Sequence, residues 1–460
     1  LAHPTPPVGV DHDREPATVF EQREAGEAED EPAETRMGDD RAENVGARRQ
    51  ADDSDTSPRR VTDRVTSVPD GQTVLIRING DDHPGISAGL MAVLESAGAD
   101  VQDIEQIVIR GRLTLGVIVE VPEGRDLLKE VLLFGWEREL EVDFDVVPPS
   151  SPVKTPGHVV TILGPDLHPH EIAAATSAIA DAGANIDRIV RLSRYPVMSY
   201  ELVVRDGDES TLRANLVRAA AAEAGMDVAI QREGLGRRAK RLVVLDVDST
   251  LIQDEVVELL AAEAGHLDEV QRITTEAMEG ELDFESALRT RVRLLAGLDE
   301  AAVERAWHNL TYSPGARTFT RTLRRLGYRI AIVSGGFSVF TDRIKRDLGI
   351  HHAHANELEI VDGRLTGELV DPIVDRSYKA KLLEQIAEAE DVPLSQVVAV
   401  GDGANDLDML STAGLGIAFN GKPIVERAAD AAVTVPYLDA LRFVLGIRRE
   451  DVEAADAGHV

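Results

Sequence analysis

The sequence contains no cysteine, and aromatic side chains make up only 4% of it. The absence of cysteine excludes disulfides, thiolate metal sites and cysteine nucleophiles, so covalent or metal chemistry must come from oxygen and nitrogen groups. No apolar run approaches the length of about 20 residues that a helix needs to cross a bilayer. The N-terminus also lacks the basic-then-apolar pattern of a secretion signal. Positive charge is scarce: 49 Lys and Arg stand against 82 Asp and Glu, a formal charge of -33. Long-range repulsion then argues against nucleic acid and membrane as partners. An anionic substrate would need a local group of Lys, Arg or metal. The expectation is a soluble, cytoplasmic protein. With 43% hydrophobic residues over 460 positions, the chain can build several packed cores.

Residues 1–70 hold 18 acidic and 9 basic side chains with hardly any clustered apolar ones. Such a segment buries too little surface to offset its chain entropy and reads as a disordered acidic tail. From 71 to 150 the patterning predicts a β-α-β-β-α-β unit, opening on the apolar strand at Thr73 and the turn Gly80-Asp-Asp-His-Pro-Gly85. A Pro/Ser linker follows, and the pattern then repeats over 157–232. The phrases Ala97-Gly-Ala-Asp-Val101 and Ala182-Gly-Ala-Asn-Ile186 fall at the same place in each copy, which marks an internal duplication. A short basic connector leads on to a third region, 240–445, and residues 446–460 read as an acidic C-terminal tail.

Arg241-Leu-Val-Val-Leu-Asp-Val-Asp-Ser-Thr250 organises that third region. Its continuous apolar run predicts a parallel strand buried on both faces. Two carboxylates, Asp246 and Asp248, stand at the strand end, where open α/β sheets place their chemistry. Adjacent carboxylates repel unless a cation or a shared proton neutralises them, so the stretch asks for a metal. The helical stretch at about 265–310 has no strand of its own and predicts a small cap. The sheet then resumes. One strand ends in Ser334-Gly-Gly336 and another in Gly401-Asp-Gly-Ala-Asn-Asp406, with Lys379 between them on a helical run. Carboxylates, a hydroxyl and an ammonium together form the inventory for magnesium-assisted phosphoryl transfer. Lys381 is a second candidate for the ammonium, and His351-His-Ala-His354 reads as a solvated loop rather than a metal tract.

These four motifs resemble those of the haloacid-dehalogenase superfamily. With Met278, Phe284 and Arg291 in the cap segment and Glu255 near the first motif, the closer resemblance is to phosphoserine phosphatases in their long form. The two preceding units resemble ACT domains. The fold class implied is a Rossmann-like doubly wound parallel α/β sheet with a helical cap, preceded by two α+β βαββαβ (ferredoxin-like, ACT) domains.

The resemblance implies Mg²⁺-dependent hydrolysis of O-phospho-L-serine, the last step of serine biosynthesis, through an aspartyl phosphate. Asp246 is then the nucleophile and Asp248 the acid/base. Ser334, Gly335 and Lys379 hold phosphate. Glu255, Arg291, Met278, Phe284 and Asn405 bind or enclose the substrate. Asp246, Asp248 (by its backbone carbonyl) and Asp402 hold the metal, with Asn405 and Asp406 supporting. The ACT resemblance points to L-serine as a regulatory ligand near Asp82 and Gly85, and to a homodimer or higher homo-oligomer. His170 replaces that glycine in the second copy. Alternatives are ACT-like units that serve assembly alone, a phosphatase for another small phosphomonoester or a phosphoprotein, and an amino-acid sensor with a decayed catalytic domain.

Overall fold

Alternation of buried and half-exposed residues along β1 (Thr73–Asp81) gives the first sheet one face for a core, with Val74, Ile76 and Ile78 fully enclosed. In the computed structural model, residues 72–121, 126–148, 157–223, 225–278 and 283–458 are described. The tail expected over 1–70 lies outside them, as does the side chain of Met278. The described residues fall into two compact units, one up to residue 148 and one from residue 157.

The first unit adds α1 (Ile86–Ala97), β2 (Asp100–Ile109), β3 (Arg112–Glu120), α2 (Leu127–Glu137) and β4 (Glu141–Val146). Its antiparallel sheet has the order β2-β3-β1-β4. Leu90 and Leu94 of α1 and Val131 and Phe134 of α2 cover one face of that sheet. The expected β-α-β-β-α-β order is what the chain forms.

The second unit opens with the repeat: β5 (His158–Gly164), α3 (Pro169–Asp181), β6 (Ala184–Ser193), β7 (Met198–Asp206), α4 (Glu209–Ala222) and β8 (Asp227–Arg232). Its strands lie in the order β8-β5-β7-β6, the same arrangement as the first copy. After the short α5 (Leu235–Arg238) comes β9 (Leu242–Leu245), all four residues of which are buried. Alternation sends Val243 and Leu245 into one core and Leu242 and Val244 into another on the opposite face, as a doubly wound sheet requires. The cap consists of α6 (Val256–Ala264), α7 (Leu267–Met278), α8 (Phe284–Arg293) and α9 (Glu300–Asn309).

The sheet resumes after α10 (Ala316–Arg325) with β10 (Arg329–Phe337), α11 (Ser338–Leu348), β11 (His352–Val361) and β12 (Arg364–Val370). It continues through α12 (Arg376–Ala389), β13 (Val397–Gly401), α13 (Leu407–Thr412), β14 (Leu415–Phe419), α14 (Pro423–Ala428) and β15 (Ala431–Val433). Strand β9 is central, with parallel neighbours β10 and β13.

The second repeat and the phosphatase-like region share one sheet. Strand β15 meets β8 antiparallel at Ala431 and Ala229, which makes a continuous sheet of eleven strands. Side chains reinforce so short a seam. Asp227 accepts the amide of Thr434 at 2.7 Å and its hydroxyl at 2.9 Å. Gln231 Nε2 donates to the Val444 carbonyl at 2.7 Å.

Two expectations change. After α15 (Leu441–Val444) at the end of the third region, the acidic stretch 446–460 carries α16 (Arg449–Asp456) and packs back, with Val452 buried and Asp456 bonded to Arg321 and Arg325 of α10. The histidine tract is a strand rather than a loop. The His351 ring nitrogen Nδ1 accepts the Ile330 amide at 3.1 Å, and His352 Nε2 lies 2.6 Å from Glu390, so local partners occupy the rings.

Candidate active site

The C-terminal ends of β9, β10 and β13 and the start of α12 converge on one cluster. The Asp246 amide extends the sheet ladder by donating to the Val400 carbonyl at 2.9 Å, so Asp246 leaves the strand in a fixed direction. Asp375 caps α12 by accepting the Tyr378 amide at 2.7 Å, which sets the first turn that carries Lys379. Lys379 is fully buried, with Nζ 2.7 Å from Asp246 Oδ1 and 2.7 Å from Asp406 Oδ1. Lys381 is exposed with its ammonium near the Tyr378 ring, so Lys379 is the lysine of the site.

Asp248 takes no part in this cluster through its carboxylate. Its Oδ1 accepts the Val256 amide at the start of α6 at 2.7 Å, a favourable place for negative charge. Its Oδ2 accepts the Ser334 hydroxyl at 2.9 Å. A Cβ on Gly336 would lie 2.7 Å from that same oxygen, so the second glycine of the motif is needed for close approach. Ser249, directly after Asp248, has φ 56°, a left-handed conformation uncommon outside glycine and asparagine. That turn lets its hydroxyl reach Glu255 Oε1 at 2.9 Å.

Among the described residues, Asp246, Asp402 and Asp406 present carboxylate oxygens all within 4.8 Å of one another. This adjusts the expected ligand set: Asp406, expected in a supporting role, joins the inner group of carboxylates, and Asp248 could contribute only its backbone carbonyl. Burial, followed by the charge of Asp406, drives the Asp246 carboxyl well above the ordinary carboxylate range, with Lys379 opposing. Burial and Asp406 likewise push Asp402 up to about 6, although Thr250 donates to it at 3.1 Å. Burial opposes charge on Lys379, but Asp246 and Asp406 outweigh it and raise its pKa above the usual lysine value. Three clustered carboxylates against one ammonium leave uncompensated negative charge, which an oxygen-seeking divalent cation offsets. The donor set fits Mg²⁺.

A cavity of about 420 Å³ opens over the cluster, lined by Asp246, Asp248, Asp402 and Asn405 on the sheet side. Glu255, Phe284 and Arg291 line its cap side, and Gly335 its floor, close to the Phe284 ring. Burial, with help from the Asp248 charge, raises Glu255 to about 7. Arg291 is 9% exposed and donates to Thr274 at 3.2 Å, and its Nε finds no acceptor among the described residues. No ion pair joins Glu255 to Arg291 within 4.0 Å. Asp82 and Gly85 belong to the first unit, both exposed, with Gly85 at φ 97° capping α1.

Several supporting residues carry no sequence signal of their own. Buried Asn356 donates to the Gly335 carbonyl at 2.8 Å and accepts the Val374 amide at 2.7 Å, which ties down the Ser334-Gly-Gly336 segment. Thr274, Lys422 and Ile424 also line the cavity and lie in no motif. Thr250, which supports Asp402, lies in the first motif.

Comparison with known proteins gives this geometry a family. Residues 243–411 match the haloacid dehalogenase-like hydrolase family, and residues 72–146 and 156–231 match ACT domains. A phosphoserine phosphatase of Streptomyces coelicolor is 50% identical over 84% of this chain and 95% of its own length. The chain belongs to the phosphoserine phosphatase family. A second member, from Mycobacterium tuberculosis, is 46% identical over 85% of this chain and 97% of its own. A solved haloacid-dehalogenase family hydrolase from Salmonella enterica superposes with a TM-score of 0.55 at 26% identity, covering 62% of this chain and 98% of its own. The family thus spans both ACT units and the catalytic region. No helix among the described residues is long and apolar enough to cross a membrane.

Proposed function

We propose that the chain is a Mg²⁺-dependent enzyme that hydrolyses O-phospho-L-serine to L-serine and phosphate, the last step of serine biosynthesis, in the cytoplasm. The observation that carries the substrate is the pair Glu255 and Arg291. Both line the catalytic cavity, and neither is paired with the other. A carboxylate and a guanidinium on one wall suit the ammonium and carboxylate of an amino acid, the guanidinium by its planar fork.

Asp246 attacks phosphorus in line, forming an aspartyl phosphate as the bond to the serine oxygen breaks. Asp248, whose carboxyl burial holds above its usual range, gives the departing oxygen a proton. It then takes one from the water that cleaves the aspartyl phosphate. Ser334, Gly335 and Lys379 hold the phosphoryl oxygens, and Phe284 excludes water. Asp246, Asp402 and Asp406, with the backbone carbonyl of Asp248, would hold Mg²⁺, and Asn405 would support them. When bound, the ion offsets the charge of the carboxylates and the phosphoryl group.

Turnover of phosphoserine against phosphothreonine and a generic aryl phosphate tests the substrate. Equal rates would sink the amino-acid reading. L-serine acts as a regulatory ligand at the Asp82–Gly85 loop, and the ACT units join subunits. Serine binding that survives Gly85→Trp would count against that loop.

A further inference from the structure

A second cavity, of about 290 Å³, lies at the opposite end of the central strands from the catalytic one. Lys240 just before β9, Ser395 just before β13 and Asp430 just before β15 contribute to it, with Arg213 of α4 and Arg237 of the connector. It therefore lies where the second ACT unit joins the catalytic sheet.

Its charges are unevenly paired. Glu209 accepts Arg232 at 2.8 Å, Glu233 accepts Arg205 at 3.1 Å, and Asp430 lies 3.8 Å from Arg213. Lys240 is different. It is 7% exposed, and its ammonium donates to the Ser395 carbonyl at 2.6 Å. No carboxylate among the described residues lies within ion-pair distance of it, 4.0 Å. An ammonium has three donors, so two of them lack an acceptor among the described residues. Arg237 bonds Glu201 through one terminal nitrogen, but its buried Nε has no acceptor among the described residues either. A buried cation held by one neutral carbonyl is costly, and its cost falls when an anion supplies the missing acceptors.

We propose that this cavity binds a small oxyanion, of the size of phosphate or a short dicarboxylate, between the Lys240 ammonium and Arg237. Binding is counted by equilibrium dialysis of the full chain with labelled inorganic phosphate, in chelator and at fixed ionic strength. The catalytic cavity can also take phosphate, so variants separate the two. Lys379→Met is expected to keep one phosphate per chain. Lys240→Met should bind one fewer than wild type, or at least 10-fold more weakly at that site. Lys240→Arg, which keeps the charge, should retain the site and shows that the loss is not misfolding. Should Lys379→Met fail to fold, the difference between wild type and Lys240→Met decides. An unchanged count in Lys240→Met, or a wild-type chain with a single site that Lys379→Met removes, overturns the proposal. Malonate that displaces the Lys240-dependent phosphate supports the dicarboxylate arm, and failure to displace it overturns that arm.

Discussion

The Ser334 hydroxyl donates to Asp248 Oδ2 across 2.9 Å while accepting the Gly336 amide at 2.7 Å. In the proposed reaction, one hydroxyl held between a backbone donor and the Asp248 carboxylate would tie phosphate binding to proton transfer. Ser334→Ala is expected to lower kcat about 100-fold, the effect of losing one preorganised donor. The bond from Ser334 also lowers the Asp248 pKa against the larger effect of burial. Its loss should therefore move the apparent pKa values of kcat upward, a change that a purely structural role would not produce. A pH–rate profile of the variant measures this.

Asp246→Asn removes the proposed nucleophile while keeping an oxygen near Lys379. Steady-state phosphate release is expected to fall by at least about 1,000-fold, and acid quenching should trap no phosphoenzyme. Unchanged activity would overturn the nucleophile assignment.

Glu255 must be ionised to pair with an ammonium, and burial raises its pKa to about 7. Affinity for phosphoserine should therefore strengthen as pH rises through about 7. Glu255→Gln should flatten that dependence and raise KM about 10-fold, the scale of one charge-assisted hydrogen bond. KM for an aryl phosphate, which has no amine, should hardly change.

Metal dependence has a readout besides turnover. Mg²⁺ at 100 times its dissociation constant should add about 2.7 kcal/mol of stability, visible as a rise in Tm. Asp402→Asn is expected to abolish that rise, and chelator to abolish phosphate release from the wild type. A Tm response to Mg²⁺ that persists in the variant would remove Asp402 from the ligand set.

Asp227 at the seam between β8 and β15 is raised to about 6, chiefly by burial, against the bonds from Thr434. A carboxyl whose folded pKa exceeds its unfolded value contributes stability at pH below about 4, and that contribution is lost as pH rises through about 6. Asp227→Asn should flatten this part of the stability–pH curve, which is worth on the order of 2 kcal/mol. Urea melts at pH 4.5 and 7.5 compare the two proteins. A slope unchanged in the variant would show that Asp227 does not titrate there.

The strand from Leu242 and the carboxylates at its end were legible because a buried parallel strand is written as an apolar run. The duplication was legible because matching phrases repeat at a fixed offset. The seam was not. It depends on the three residues Ala431–Val433 and one paired residue of β8, too short to leave a periodic signal. The different placement of Asp248 and Asp406 was also hidden, since both sit in acidic motifs at strand ends. Only the turn at Ser249 and the first amides of α6 draw Asp248 away from the carboxylate cluster. Asn356 gave no sign because its two bonds join segments distant in sequence.

The shared sheet also sets an order of events during synthesis. Strand β8 leaves the ribosome long before β15, roughly 200 residues later in the chain, and contacts of such separation form slowly. Until then the β8 edge stands open, and an open edge invites pairing with another chain. The interval between the two strands is therefore the vulnerable period in the birth of this protein, and conditions that slow translation across it should favour aggregation over native enzyme.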